Sequence, residues 1–205
     1  MRRRFQYKCF YHGRVLDKMI DQNPFTSANT INYYYKGGLL TSVNIIPGRD
    51  VLSAKLELGY DNLKRVTVIT WPKLNNGSWI TNRKLAFTYY PDNNISTYKN
   101  YYHDGSALTL FDSTSYVGYD NKINPKINFF IAGVFDDHFV YPPYVKLQIN
   151  NPISESLLRG TNTFKTEHQY TYSGSLPGTD NKTIHVIPNY GVPYNFAGAE
   201  FYEYH

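Results

Sequence analysis

The sequence predicts an all-β protein, a single jelly-roll β-sandwich with long loops and little helix. Period-two alternation of apolar and polar residues recurs along the chain, the signature of half-buried strands. Tyr (21), Phe (12) and Trp (2) make up 17% of the 205 residues, and aromatic rings favour strands and contact surfaces over helix interiors. Helical periodicity is confined to two short stretches, Val51 to Leu58 and Ser154 to Arg159, each enough for two turns at most and too short for a βαβ crossover.

Taken in order, Phe5, Tyr7, Cys9 and Tyr11 alternate with Gln6, Lys8, Phe10 and His12, a strand that begins directly after an arginine run. Leu63 to Trp71 is β-branched and lies between Asp61-Asn62 and Pro72, which reads as a strand closed by proline. Leu85, Phe87 and Tyr89 alternate next and stop at Pro91-Asp92-Asn93-Asn94. Val145, Leu147 and Ile149 alternate with Lys146 and Gln148 between Pro142-Pro143 and Asn150-Asn151-Pro152, one of the cleanest strand patterns in the chain. Thr163 to Tyr172 sets Phe164, Thr166, His168, Tyr170 and Tyr172 on one face. Thr183 to Ile187 and Ala199 to Tyr204 supply two further strands. Between them Lys73 to Arg83, Asp92 to Ser106 and Ser173 to Lys182 read as long loops. The strands recur at no fixed period, which points to Greek-key connections rather than a propeller or solenoid. One domain, residues 5–205, follows a basic arm of residues 1–4.

Charge is unevenly placed. Arg2, Arg3, Arg4, Lys8, Arg14 and Lys18 against Asp17 account for the whole formal net charge of +5, and the remaining residues are balanced. A neutral body with a basic margin predicts one surface turned toward a polyanion. Cys9 is the only cysteine, so no intrachain disulfide forms, and its place among aromatic residues predicts a packed, unreactive thiol. No apolar signal region follows the cationic N-terminus, and the longest apolar run, Phe129 to Phe135, is too short to span a bilayer; a soluble protein of a reducing compartment is expected. Sequons at Asn76, Asn94 and Asn181 match chance expectation in a chain rich in Asn, Ser and Thr.

No catalytic constellation emerges. His103-Asp104 and Asp136-Asp137-His138 lack a second His or Cys at metal-ligand spacing and read as solvated loops. His12, His168 and His185 fall within strand patterns and read as hydrogen-bonded sheet residues. There is no nucleophile elbow, phosphate-cradling loop or dinucleotide fingerprint. The expectation is a protein that is not an enzyme and needs no cofactor or metal. Tyr33-Tyr34-Tyr35, Tyr89-Tyr90, Tyr101-Tyr102 and Tyr141 with Tyr144 place aromatic bodies where a monomer would struggle to bury them, which predicts a homo-oligomer.

The chain resembles the capsid proteins of circoviruses and related small viruses with circular single-stranded DNA. The resemblance rests on Arg2-Arg3-Arg4 leading into Phe5-Gln6-Tyr7-Lys8, on Leu40 to Ile46 running into Pro47-Gly48, on Tyr60 to Pro72 as a tyrosine-led, basic, valine-rich strand ending in Trp71-Pro72, and on the aromatic closing segment Phe196 to Tyr204. It implies a jelly-roll capsid subunit that self-assembles into a small icosahedral shell of about sixty copies. The implied partners are other copies of the chain, a single-stranded DNA genome and a host surface receptor, without membrane insertion. The implied setting is the virion, with the host nucleus during assembly. Arg2, Arg3, Arg4, Lys8, Arg14 and Lys18 are the expected nucleic-acid contacts. The arm is shorter than the family's usual arginine-rich segment. The rival reading is a tyrosine-rich carbohydrate-binding β-sandwich module with platforms at Tyr33 to Tyr35 or Tyr101-Tyr102.

Overall fold

Strand pairing in the computed structural model follows the chain almost without exception. The structure describes residues 7–22, 30–46, 54–124, 145 and 147–201. Within them lie fifteen strands: β1 (Tyr7–His12), β2 (Val15–Asp21), β3 (Thr30–Lys36), β4 (Leu39–Ile46), β5 (Ala54–Tyr60), β6 (Val66–Asn75), β7 (Ser78–Tyr89), β8 (Ile95–His103), β9 (Leu108–Tyr116), β10 (Tyr119–Ile123), β11 (Asn150–Pro152), β12 (Ser154–Arg159), β13 (Asn162–Ser173), β14 (Leu176–Ile187) and β15 (Tyr194–Phe201). The all-β class stands, and no helix occurs among the described residues. The strand order is that of an antiparallel meander. Within each of the chain's two compact units each strand neighbours the next, except that β9 neighbours β12 while β10 and β11 form a separate pair, an arrangement consistent with a β-sandwich.

The chain divides into two compact units: residues Met1–Lys84 with Ile131–Val145, and Leu85–Phe130 with Lys146–His205. In the first, the strands run in the order β1-β2-β3-β4-β5-β6. Register stacks apolar side chains in rows: Met19, Ile31 and Ile45 face one another across β2, β3 and β4, Tyr33, Val43 and Leu56 across β3, β4 and β5, and Leu58 meets Ile69. All are buried, Val43 and Leu56 completely. The opposite face carries Asn32, Ser42, Asn44 and Glu57, so the alternation is the physical cause of a one-sided core. Gly59 opposes Val68; a Cβ at Gly59 would lie 2.6 Å from Val68 Cγ1, so only glycine lets the two strands approach here.

In the second unit, β8-β9-β12-β13-β14-β15 are neighbours in that order, and the buried face is largely polar. Asn100, Asp112, Thr114, Asn151, Thr166 and Asp180 are buried on the strands, joined by Asn94, Asn124 and Gln148 from the connections. Buried polar groups require partners, and they have them. The Asn94 carboxamide donates to Asp92 and Asn150 and accepts from the amides of Ile149 and Asn150, all near 3.0 Å. Asp120 accepts from Tyr172, Asn151 and the Lys122 amide.

Several expectations change. Ser154 to Arg159 is strand β12, and Ala54 to Leu58 lies in β5: pairing on both sides overrides the weak local helix pattern. Residues 147–149 form no strand, and burial does not follow their alternation, since Gln148 is buried along with Leu147 and Ile149 is only half-buried. The supposed loops are hairpins. Lys73 to Arg83 turns at Asn76-Gly77, with positive φ at both residues (47° and 82°), the type I′ geometry that Asn-Gly favours. Asp92 to Ser106 contains β8, and Ser173 to Lys182 contains the first seven of the twelve residues of β14. The strand through Trp71 does not stop at Pro72 but runs to Asn75. Cys9 is exposed, because it lies on an edge strand among the described residues and the Tyr11 ring on its face is itself exposed. Of the three sequons, Asn94 is fully buried.

A repeat does exist, with a variable period. Three tyrosines, at the ends of β3 and β5 and the start of β10, each donate a hydroxyl to a carbonyl at the start of an earlier strand: Tyr35 to Leu16 (2.8 Å), Tyr60 to Leu40 (2.6 Å) and Tyr119 to Ile95 (2.7 Å), across 19, 20 and 24 residues. The turns after Tyr60 and Tyr89 share one pattern. Asp61 N donates to Arg65 O and Lys64 N to Asp61 O; Tyr90 N donates to Asn94 O and Asn93 N to Tyr90 O. Lys64 and Asn93 both have left-handed φ, 62° and 67°.

Candidate functional site

Of the expected nucleic-acid contacts, Arg2, Arg3 and Arg4 lie outside the described residues, as do Phe5, Pro47-Gly48, Phe129 to Phe135, Asp136 to His138, Tyr141, Tyr144 and Val51 to Ser53. The other three sit on the β1–β2 hairpin. Phe10 and Lys18 are cross-strand partners, and Lys8 is two residues from Phe10 on the same face. Both ammonium groups lie over the Phe10 ring, at 5.3 Å for Lys8 and 5.0 Å for Lys18, a cation–π arrangement that holds two cations together despite their repulsion. Arg14 is exposed in the turn, away from that pair.

Register also assembles a feature that alternation alone leaves unseen, a row of ionisable groups across β12 to β15. Glu155 opposes Thr166, His168 opposes Lys182, which opposes Gly198, and Tyr170 opposes Asp180, which opposes Glu200. His168 Nδ1 is 3.0 Å from Asp180 Oδ2, and its Nε2 is 4.0 Å from Glu155 Oε1. Lys182 Nζ lies 3.4 Å from Asp180 and 3.1 Å from Glu200. The His168 side chain is 2% exposed, and its Nε2 has no hydrogen-bond partner. Burial raises the carboxyl of Glu155, against the opposing pull of His168 and Lys182. Burial presses the Lys182 ammonium down, but Glu200 and Asp180 outweigh it and the net direction is up. His168 and Asp180 are buried, while the Lys182 and Glu200 side chains are 23% and 40% exposed, so the row runs from a buried hydrogen-bonded pair out to solvent. It ends on β15, the outermost strand. Taken as a loop, Ser173 to Lys182 conceals it; the Ser173-Gly174 turn, which fixes which residues of β13 and β14 meet, is the sequence feature that could have pointed to it.

β15 is exposed along its length except at Glu200. Tyr194 (56%), Phe196 (48%) and Phe201 (75%) are large and uncovered, preceded by Tyr190 and Val192. Among the described residues its outer edge pairs with no strand. On the face of β13 opposite the charged row, Lys165, Glu167, Gln169 and Thr171 are all exposed; a lipid-facing strand carries apolar side chains at such positions.

The other tyrosine platforms fare differently. Tyr33 is core and donates to Met19 Sδ at 3.1 Å, Tyr35 is a tether, and only Tyr34 is exposed. Tyr101 and Tyr102 are half-buried. His103 Nδ1 accepts from Gly105 N, and Asp104 accepts from the amides of Ser106 and Ala107. The Ala107 and Ser106 amides, with the Ser106 hydroxyl, hold the Asp104 carboxyl down at about 2, so this pair is a turn. His185 bonds Asn195.

The molecule is thus an all-β antiparallel meander of tethered hairpins. No protein-family model and no curated protein matches the chain. Among solved structures it is similar to a porin-like protein from Bacteroides uniformis (TM-score 0.51, 12% identity, covering 97% of this chain and 89% of that one). It is likewise similar to a porin-like protein from Bacteroides vulgatus (TM-score 0.52, 13% identity, covering 96% and 85%). At that identity the likeness concerns the fold alone.

Proposed function

We propose that the chain is a non-enzymatic structural protein that assembles with copies of itself through β15. The observation that carries this reading is the exposure of Tyr194, Phe196 and Phe201 on a strand whose outer edge is unpaired among the described residues. Such an edge is a template for a further strand unless charge, proline or a cover blocks it, and β15 between Tyr194 and Phe201 has a single charged residue, Glu200. Ala197, Gly198 and Ala199 at its centre leave room for a second backbone. The capsid resemblance belongs to the same functional class, self-assembly without catalysis; the reading keeps that class and does not depend on a jelly-roll shell. Light scattering over a concentration series tests it: the protein forms multimers, and Phe196→Lys with Phe201→Lys yields monomers of unchanged circular dichroism. A wild-type monomer at every concentration and salt overturns the reading.

The Lys8–Phe10–Lys18 cluster favours a second, compatible role, contact with a polyanion such as single-stranded DNA. Cations beside an aromatic ring serve backbone and base together. Binding is expected to weaken with salt, and Lys8→Ala or Lys18→Ala to lower the salt slope by about 1 each. A slope unchanged in both variants removes the cluster from any such contact.

A further inference from the structure

We propose that the hairpin-tip end of the second unit binds acidic saccharides, with Arg159 receiving the carboxylate. This goes beyond the assembly reading and uses none of its residues. Arg159 closes β12 and is the cross-strand partner of Asp112 on β9 and Asn162 on β13. Asp112 is buried and accepts from the Tyr98 hydroxyl and from Arg159 Nη2, each at 3.1 Å. One corner of the guanidinium is thereby fixed from beneath. The Arg159 side chain is otherwise 55% exposed and lies over the Phe111 ring, 5.5 Å from its centroid. That ring is itself half exposed and braced edge-on by Tyr102 at 5.2 Å and 75°.

A guanidinium offers five N–H donors in a rigid fork. Asp112 engages Nη2 and the Phe111 ring backs the group, while just over half of the side chain stays open to solvent. A fork fixed in this way suits a planar carboxylate better than a point charge does. The site is wider than one ion. Asn162 accepts from the Asn189 amide at 3.2 Å, which brings the next residue, Tyr190, to the same end of the sheet, 87% exposed. The strip from Phe111 through Arg159 to Tyr190 crosses neighbouring strands spaced about 4.8 Å apart. Aromatic surfaces at both margins with a cation and planar amides between them fit a short chain of sugar rings, whose C–H faces lie on the aromatic bodies while a uronate reaches Arg159.

Isothermal titration with oligogalacturonate, cellohexaose, acetate and hexaglutamate tests this. Oligogalacturonate is expected to bind, with cellohexaose and acetate at least about tenfold weaker. Arg159→Lys keeps a cation beside Asp112 but loses the fork, and should weaken oligogalacturonate about tenfold. Tyr190→Ala, at a nearly fully exposed position, should weaken it several-fold without touching the fold. The proposal is overturned by absence of oligogalacturonate binding, by equal binding of cellohexaose, by tighter binding of hexaglutamate, or by affinity that neither variant changes. Because no β15 edge residue is altered, loss of saccharide binding and loss of assembly remain separable.

Discussion

The two units solve the same problem with different materials. The first buries leucine, isoleucine and valine in register, and Arg83, resting over Trp71 at 5.5 Å, is its one buried charge among the described residues. The second buries carboxylates, carboxamides and a histidine, with few aliphatic side chains beside them. Burial of apolar area is forgiving, since it depends on volume and contact. A polar interior is not: each group is worth little when paired and costs heavily when its partner is lost. The first unit should therefore lose stability in proportion to the atoms removed, and the second according to which partner is stranded.

Four experiments break or sharpen this contrast. Asp180→Ala in the second unit takes from buried His168 its carboxylate partner, leaving Lys182 its Glu200 contact, and should cost about 3–5 kcal/mol in urea unfolding; a loss below about 1 kcal/mol would mean that solvent compensates His168. Leu56→Ala in the first unit should cost about 2–5 kcal/mol, following the cavity left behind, and hydrogen exchange should show the loss concentrated in β3 to β5. Tyr60→Phe, which deletes the hydroxyl bonded to Leu40 O and pushed up to about 12 by burial, should cost about 1 kcal/mol. The smallest effects belong to the turns. Lys64→Gly relieves a left-handed lysine and should stabilise by up to about 1 kcal/mol, whereas Asn93→Gly should change little, because asparagine tolerates that conformation.

A pH titration separates the units further. The Glu155 carboxyl is raised by burial, so the folded state holds its proton more firmly than the unfolded chain. Its contribution is fully present below the ordinary carboxylate range and is lost as pH rises through the raised folded value. Glu155→Gln keeps the neutral form and should flatten stability in that window. Identical slopes for variant and wild type would show that Glu155 ionises without penalty.

Legibility tracks the same division. In the first unit the sequence pattern located strands β1 and β6 but not their covered faces: Phe10, grouped with the polar positions, is better covered than Cys9 and Tyr11, and the buried residues of the Val66 to Trp71 stretch are Val66 and Ile69, three apart. In the second unit Asp112, Asp180 and Asn94 occupy positions that an apolar pattern assigns to solvent, so β8, β12 and part of β14 looked like loop or helix. The tyrosine repeat was hidden because its spans differ in length, which breaks any fixed period. The Lys8–Lys18 pair was visible as charge, and their shared ring became visible only through the register. Glu155, Lys182 and Glu200 carried no local signal, being brought together solely by three successive antiparallel pairings.

The tyrosine tethers also bear on the order in which the chain folds. The three donate to carbonyls only 19 to 24 residues earlier, so the segments that carry them can dock on the earlier strand as soon as they form. Contacts of such short range keep loop-closure entropy low. Folding can thus proceed as a zipper in the direction of synthesis, each hydroxyl acting as a pawl that stops the preceding strand from slipping.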